Sequence, residues 1–126
     1  MQAFLKFFVA FFGAVCVLIG ITHIILGPSA IPGAIAVNAT LDSEDRFYAT
    51  LFVGFGAALV WCSRNLHERS RPFFWLLVVF FAGGVARLVS MSQAGLPHPL
   101  FQVLTVVELA LPIGLWLLHR RAVRAA

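Results

Sequence analysis

Apolar positions along the chain gather into four long runs, roughly 3–26, 44–63, 73–91 and 99–118, parted by short polar stretches. At about 1.5 Å rise per residue, a helix over any of these runs covers a hydrocarbon core of about 30 Å. The pattern predicts an all-α, integral membrane four-helix bundle in a single domain spanning residues 1–126. The polar residues at the boundaries agree with this. Asp42 or Ser43 is expected to cap the second helix, and Glu44 and Asp45 in its first turn suit the positive end of the helix dipole. Pro72 and Pro99 suit the first turns of the third and fourth helices, where a missing N–H costs nothing.

Composition strengthens the membrane reading. The chain has 126 residues, of which 61% are hydrophobic and only 11% charged, with a mean hydropathy of +0.97. A soluble domain of this size has no use for so much apolar surface, so the bilayer is the expected solvent. The first run is too long for the apolar core of a cleaved signal peptide and reads as a span. Before Cys16, Val15 stands where a lipoprotein signal needs a small residue. Cys16 and Cys62 fall at different depths, too far apart for a disulfide, and read as apolar packing residues.

The net charge of +4 is a topology signal rather than a nucleic-acid surface. Lys6, Arg64, Arg69, Arg71, Arg120, Arg121 and Arg124, seven of the nine basic residues, fall at one side of the four runs. By the positive-inside rule that side is cytoplasmic, so both termini are expected inside and the loops 27–43 and 92–98 outside. Trp61, Trp75 and Trp116 fall near the same inner boundary, as an interfacial aromatic belt does. Asn38-Ala39-Thr40 matches the glycosylation pattern but reads as plain polar loop. Two small-residue stripes at four-residue spacing, Thr50–Gly54–Ala58 and Ala82–Ala86–Ser90, are expected to let helices approach closely, either within the bundle or between subunits.

The candidate chemistry lies in two charges inside apolar runs. Arg87 interrupts the third and Glu108 the fourth. An ionised side chain within a bilayer costs a few kcal/mol on insertion scales (about 2.5–3.5) and so faces a partner or a cavity. Counted from the helix ends, the two sit at similar depth near the outer face. Side chains lean toward the N-terminus of their own helix, so Arg87 reaches inward and Glu108 outward, toward each other. Asp45, Arg46, Tyr48, His23, Ser90 and Thr105 belong to the same level, with Arg46 facing the bundle along the stripe of the second helix. Either Arg46 or Arg87 could pair with Glu108, and Arg87 with Asp45; such a pair either lines a pocket or serves only to fix helix register. Pro112 cannot donate to the carbonyl of Glu108, so a kink and a free acceptor are expected there. The four histidines are scattered and no metal site is implied. No phosphate-binding glycine loop or serine-hydrolase motif is present either.

Several of these residues also fit a known pattern. Glu44-Asp45-Arg46-Phe47-Tyr48 with Phe52, Gly54 and Gly56, then Ala86-Arg87 with Ser90, Gly95, Pro97 and Glu108, resembles the bacterial four-helix membrane proteins of the domain of unknown function 4345 family. The resemblance covers nearly the whole chain and implies the same fold and a bacterial inner membrane. The topology also resembles the broader DoxX-like group, some members of which are linked to quinone or thiol redox chemistry. The leading functional expectation is a non-catalytic or accessory protein with an outer-leaflet pocket for a quinone, lipid or sterol-like amphiphile. Arg46 and Arg87 would meet its head and Glu108 would orient Arg87. One alternative is a membrane-embedded isomerase or redox-type enzyme, with Glu108 and His23 as proton-moving candidates. Another is an oligomeric, proton-coupled transporter. Membrane lipids and either a second copy or a larger membrane complex are the partners these readings call for.

Overall fold

A computed structural model describes residues 1–125 as helices joined by short connections. The four long helices are α1 (Gln2–Leu26), α2 (Ala39–Ser63), α3 (Ser70–Ala94) and α4 (Pro99–Arg124), with a short 3-10 turn at Gly27–Ala30. All four are long and apolar enough to cross a membrane. Their number and order are as the hydropathy pattern predicts. Every backbone N–H in lipid must find its acceptor within the segment, so a long apolar run has little choice but to be helical.

Several boundaries move, and α3 extends three residues beyond its apolar run at each end. α2 begins five residues earlier than its apolar run, because Asn38, and not Asp42 or Ser43, is the cap. The Asn38 side chain accepts the Leu41 N–H at 3.0 Å. The glycosylation-like triplet is therefore the start of a helix, and Asp42 sits inside its first turn. α4 continues to Arg124, so Arg120, Arg121 and Arg124 are helical. Cations in a last turn offset the negative end of the helix dipole. Pro112 lies within α4 without ending it.

The chain divides into two compact units, one formed by Met1–Lys6 with Asn65–Ala126 and the other by Phe7–Arg64. In the first, α3 and α4 run antiparallel. Ser70 meets His119, Phe74 meets Trp116, and Arg87 meets Glu108. The buried face of α4 is Thr105, Glu108, Pro112, Leu115, His119 and Ala122, a three-and-four repeat that keeps one stripe of the helix inward. On α3 the buried residues are Phe73, Leu77 and Gly84. A Cβ on Gly84 would lie 3.0 Å from the Leu109 side chain and 3.1 Å from Cβ of Glu108, so its absence lets the helices close up beside the carboxylate. Gln2 Nε2 donates to the Ala122 carbonyl at 3.2 Å and fastens the first turn of α1 to the end of α4.

In the second unit, α1 and α2 are also antiparallel and touch backbone to backbone. A Cβ on Gly13 would lie 2.5 Å from the Gly56 carbonyl oxygen, and one on Gly56 the same distance from the Gly13 oxygen. Cys16 and Cys62 are buried thiols. The two predicted small-residue stripes do not make these contacts within the chain, which leaves their faces open to a second copy. Thr50, Gly54, Ala82, Ala86 and Ser90 are all exposed, and nothing lies within 4 Å of where a Gly54 Cβ would be. A four-residue spacing drifts about 40° per step around a helix. Such a stripe leaves a fixed contact line, whereas Ala49, Gly56 and Ser63 follow it at seven-residue spacing.

Candidate functional site

Arg87 and Glu108 meet. Arg87 Nε donates to Glu108 Oε2 at 2.7 Å, a charge-assisted hydrogen bond across the α3–α4 interface. Helix α3 extends to Ala94, so Arg87 lies about 10 Å from its end and Glu108 about 13 Å from the start of α4. The depths differ by less than the apolar run implied, and the opposed lean of the two side chains closes the gap. The two partners are unequally enclosed. The Glu108 side chain is 11% exposed and that of Arg87 37%. The guanidinium also lies over the Phe101 ring, 5.4 Å from its centre, a cation–π contact that holds its plane. Among the described residues its terminal nitrogens donate to no acceptor, so the side facing away from Glu108 keeps its N–H groups available.

Thr105 and Ser90 flank the pair along the chain. Thr105 is buried, and its hydroxyl donates to the Phe101 carbonyl at 2.7 Å, within its own helix. Ser90 is exposed, three residues beyond Arg87. Pro112, one turn from Glu108, is buried and contributes to a shallow groove of about 250 Å³ on the helix pair. The groove's walls are apolar: Phe74, Leu77, Phe81, Ile113 and Trp116.

The other polar residues of the predicted level belong to the second unit and pair there. His23 Nδ1 lies 3.3 Å from Asp45 Oδ2, so Asp45 has its own partner. Arg46 donates through Nε to Asp42 Oδ2 at 2.8 Å and through Nη2 to Asp42 Oδ1 at 3.2 Å. Its Nη1 reaches the carbonyls of Ile24 and Ile25 at 2.6 and 3.1 Å. Arg46 thus acts as a strap, joining the last turn of α1, whose carbonyls have no helical partner, to the first turns of α2. Tyr48 is exposed and packs edge-on against Phe47.

One constellation was not anticipated in the sequence. His119 is 2% exposed. Its Nε2 shares a hydrogen bond with Ser70 Oγ at 2.8 Å, and its ring contacts Phe73 and Trp116. The available signal was its place in the three-and-four repeat of α4, four residues after Leu115, which marks it as inward facing despite its position near a basic helix end. Among the described residues, no group of three or more His, Cys, Asp or Glu could hold a metal ion.

These features define a class: an all-helical protein with four membrane-length helices and an ion pair within the third and fourth. The particular family follows from sequence. The chain belongs to the family described as Domain of unknown function (DUF4345), whose model matches residues 4–119. No curated protein and no solved structure matches the chain.

Proposed function

We propose that this protein is a non-catalytic or accessory protein of a bacterial inner membrane that binds an amphiphile through Arg87. The ligand class is a quinone, lipid or sterol-like molecule with a carbonyl or anionic head. The seven basic residues at one side orient the chain with both termini in the cytoplasm, which sets Arg87 and Glu108 toward the outer leaflet. The DoxX-like grouping expected from topology would put a quinone among the candidates.

The observation that carries the reading is the asymmetry of the pair. Fixing helix register calls for the bond to Glu108 and gives no use to an accessible guanidinium with free donors. Here the contact is a single bond from Nε, and Arg87 remains 37% exposed with its terminal N–H groups unengaged. Glu108 fixes where the guanidinium stands and Phe101 fixes its plane, so an incoming oxygen meets donors already oriented. Leu88 and Val107, exposed apolar neighbours in sequence, suit the hydrocarbon part of such a ligand. Ser90 would supply a further hydroxyl on that side of α3.

Native mass spectrometry of protein extracted from its own membrane tests this. Arg87→Ala should lose a co-purifying amphiphile that the unmodified protein retains, and Arg87→Lys should keep only part of it. An unchanged ligand complement in Arg87→Ala refutes the proposal.

A further inference from the structure

We infer a second binding site, for a phosphate-class anion, at the opposite end of the α3–α4 pair from Arg87. Three segments distant in sequence converge there on a cavity of about 50 Å³: the first turn of α1, the α2–α3 connection and the last turns of α4. Lys6 comes from the first, Asn65 and His67 from the second, and His119 from the third, while Leu66 and Ala122 supply apolar wall. Among the described residues, no carboxylate lines the cavity.

Lys6 can only donate, Asn65 and the imidazoles can each donate through an N–H, and three of the groups are not used up by the fold. Among the described residues, the Lys6 ammonium, the Asn65 amide and the His67 ring have no hydrogen-bond or ion-pair partner in the structure. His119 is held in place through Nε2 by Ser70, which fixes its ring at the cavity wall. Gln2, also lining the cavity, is turned to the Ala122 carbonyl. The cavity is the size of a small oxyanion rather than an organic ligand. A phosphate offers three or four acceptor oxygens, which suits an ammonium, an amide and imidazoles lining one cavity. Arg120, Arg121 and Arg124 follow on the same helix end and add to the positive field without lining the cavity.

Two sources supply that chemistry, a phospholipid headgroup and a soluble phosphate, and both are accessible at a membrane boundary. The test uses the full chain in maltoside micelles, which carry no phosphate. In one arm, inorganic phosphate is titrated and followed by 31P line broadening. In the other, native mass spectra compare retention of phosphatidylglycerol with that of a glycosyl diacylglycerol of the same acyl chains. Lys6→Gln and His67→Ala should each weaken the phosphate-dependent signal about tenfold, the loss of one charge-assisted contact. His67 is exposed, so His67→Ala keeps the test readable if Lys6→Gln reduces the yield of folded protein. Saturable binding of inorganic phosphate points to a soluble ligand. Preferential retention of phosphatidylglycerol alone points to a headgroup. The inference is overturned by saturation in neither arm, or by binding that both variants leave intact.

Discussion

Glu108 and Arg87 form one bond but are not equivalent residues. Removing Arg87 leaves a carboxylate that is 11% exposed without its cation, whereas removing the charge of Glu108 leaves a guanidinium that water or a headgroup can still reach. Breaking an enclosed pair from the exposed side is the costlier change. Arg87→Ala should therefore destabilise the protein by about 3 kcal/mol, the low end for a broken enclosed pair, and Glu108→Gln, which keeps a hydrogen bond to Nε, by about 1 kcal/mol. Thermal melts of both variants in the same detergent measure the order, and equal losses would show that the enclosure of Glu108 is irrelevant. Arg46 makes a different prediction. It joins Asp42 to the Ile24 and Ile25 carbonyls, a task that needs the breadth of a guanidinium. Both Arg46→Ala and Arg46→Lys should speed amide hydrogen exchange across Gly27–Ala30 while leaving the middle of α1 protected. Protection of the turn unchanged in Arg46→Ala would show that the strap does not hold it.

Among the elements, the α1–α2 contact separates two kinds of glycine. Gly56 has the Gly13 carbonyl 2.5 Å from where its Cβ would be, and Gly54 has nothing within 4 Å. Gly56→Ala should force the helices apart and cost about 1–3 kcal/mol, as overpacking does. Gly54→Ala should be neutral or raise stability by up to about 1 kcal/mol, since Ala is the better helix former. A loss for Gly56→Ala and none for Gly54→Ala, read as shifts in melting temperature, is the expected result. A loss on Gly54→Ala would restore the contact role expected of its stripe. The start of α2 is tested by Asn38→Ala, which removes the acceptor for the Leu41 N–H and should cost about 1 kcal/mol. Local exchange should then rise in Ala39–Asp42.

At the scale of the whole molecule, the proposed orientation is checked by reporter fusions. A cytoplasm-active fluorescent reporter should work at either terminus, and an export-dependent phosphatase should work in the α3–α4 connection. The reverse pattern would place Arg87 at the inner leaflet and remove the outer-leaflet reading. The inferred anion site would then face outward, since it sits at the other end of α3 and α4.

The count, order and approximate limits of the helices were fixed by local sequence. In lipid each segment satisfies its own backbone, so a run of apolar residues long enough to span is sufficient information. The encounter of Arg87 with Glu108 was legible for a related reason: depth follows from counting residues along a helix, and the lean of the side chains follows from its handedness. Which face of each helix turns inward was not legible where small and apolar residues surround the helix on all sides. Thr50, Gly54, Ala82 and Ala86 look like contact residues in a sequence, and their exposure depends on a rotation about the helix axis that lipid-facing residues do not constrain. Only the tertiary structure decided that rotation. It also decided that Arg46 holds Asp42 and two carbonyls, that Asp45 faces His23, and that Lys6, His67 and His119 gather from three separate segments. Hydrophobicity along a chain measures how deeply a segment lies in the membrane, whereas contacts across helices depend on register and rotation, which arise only when the helices pack.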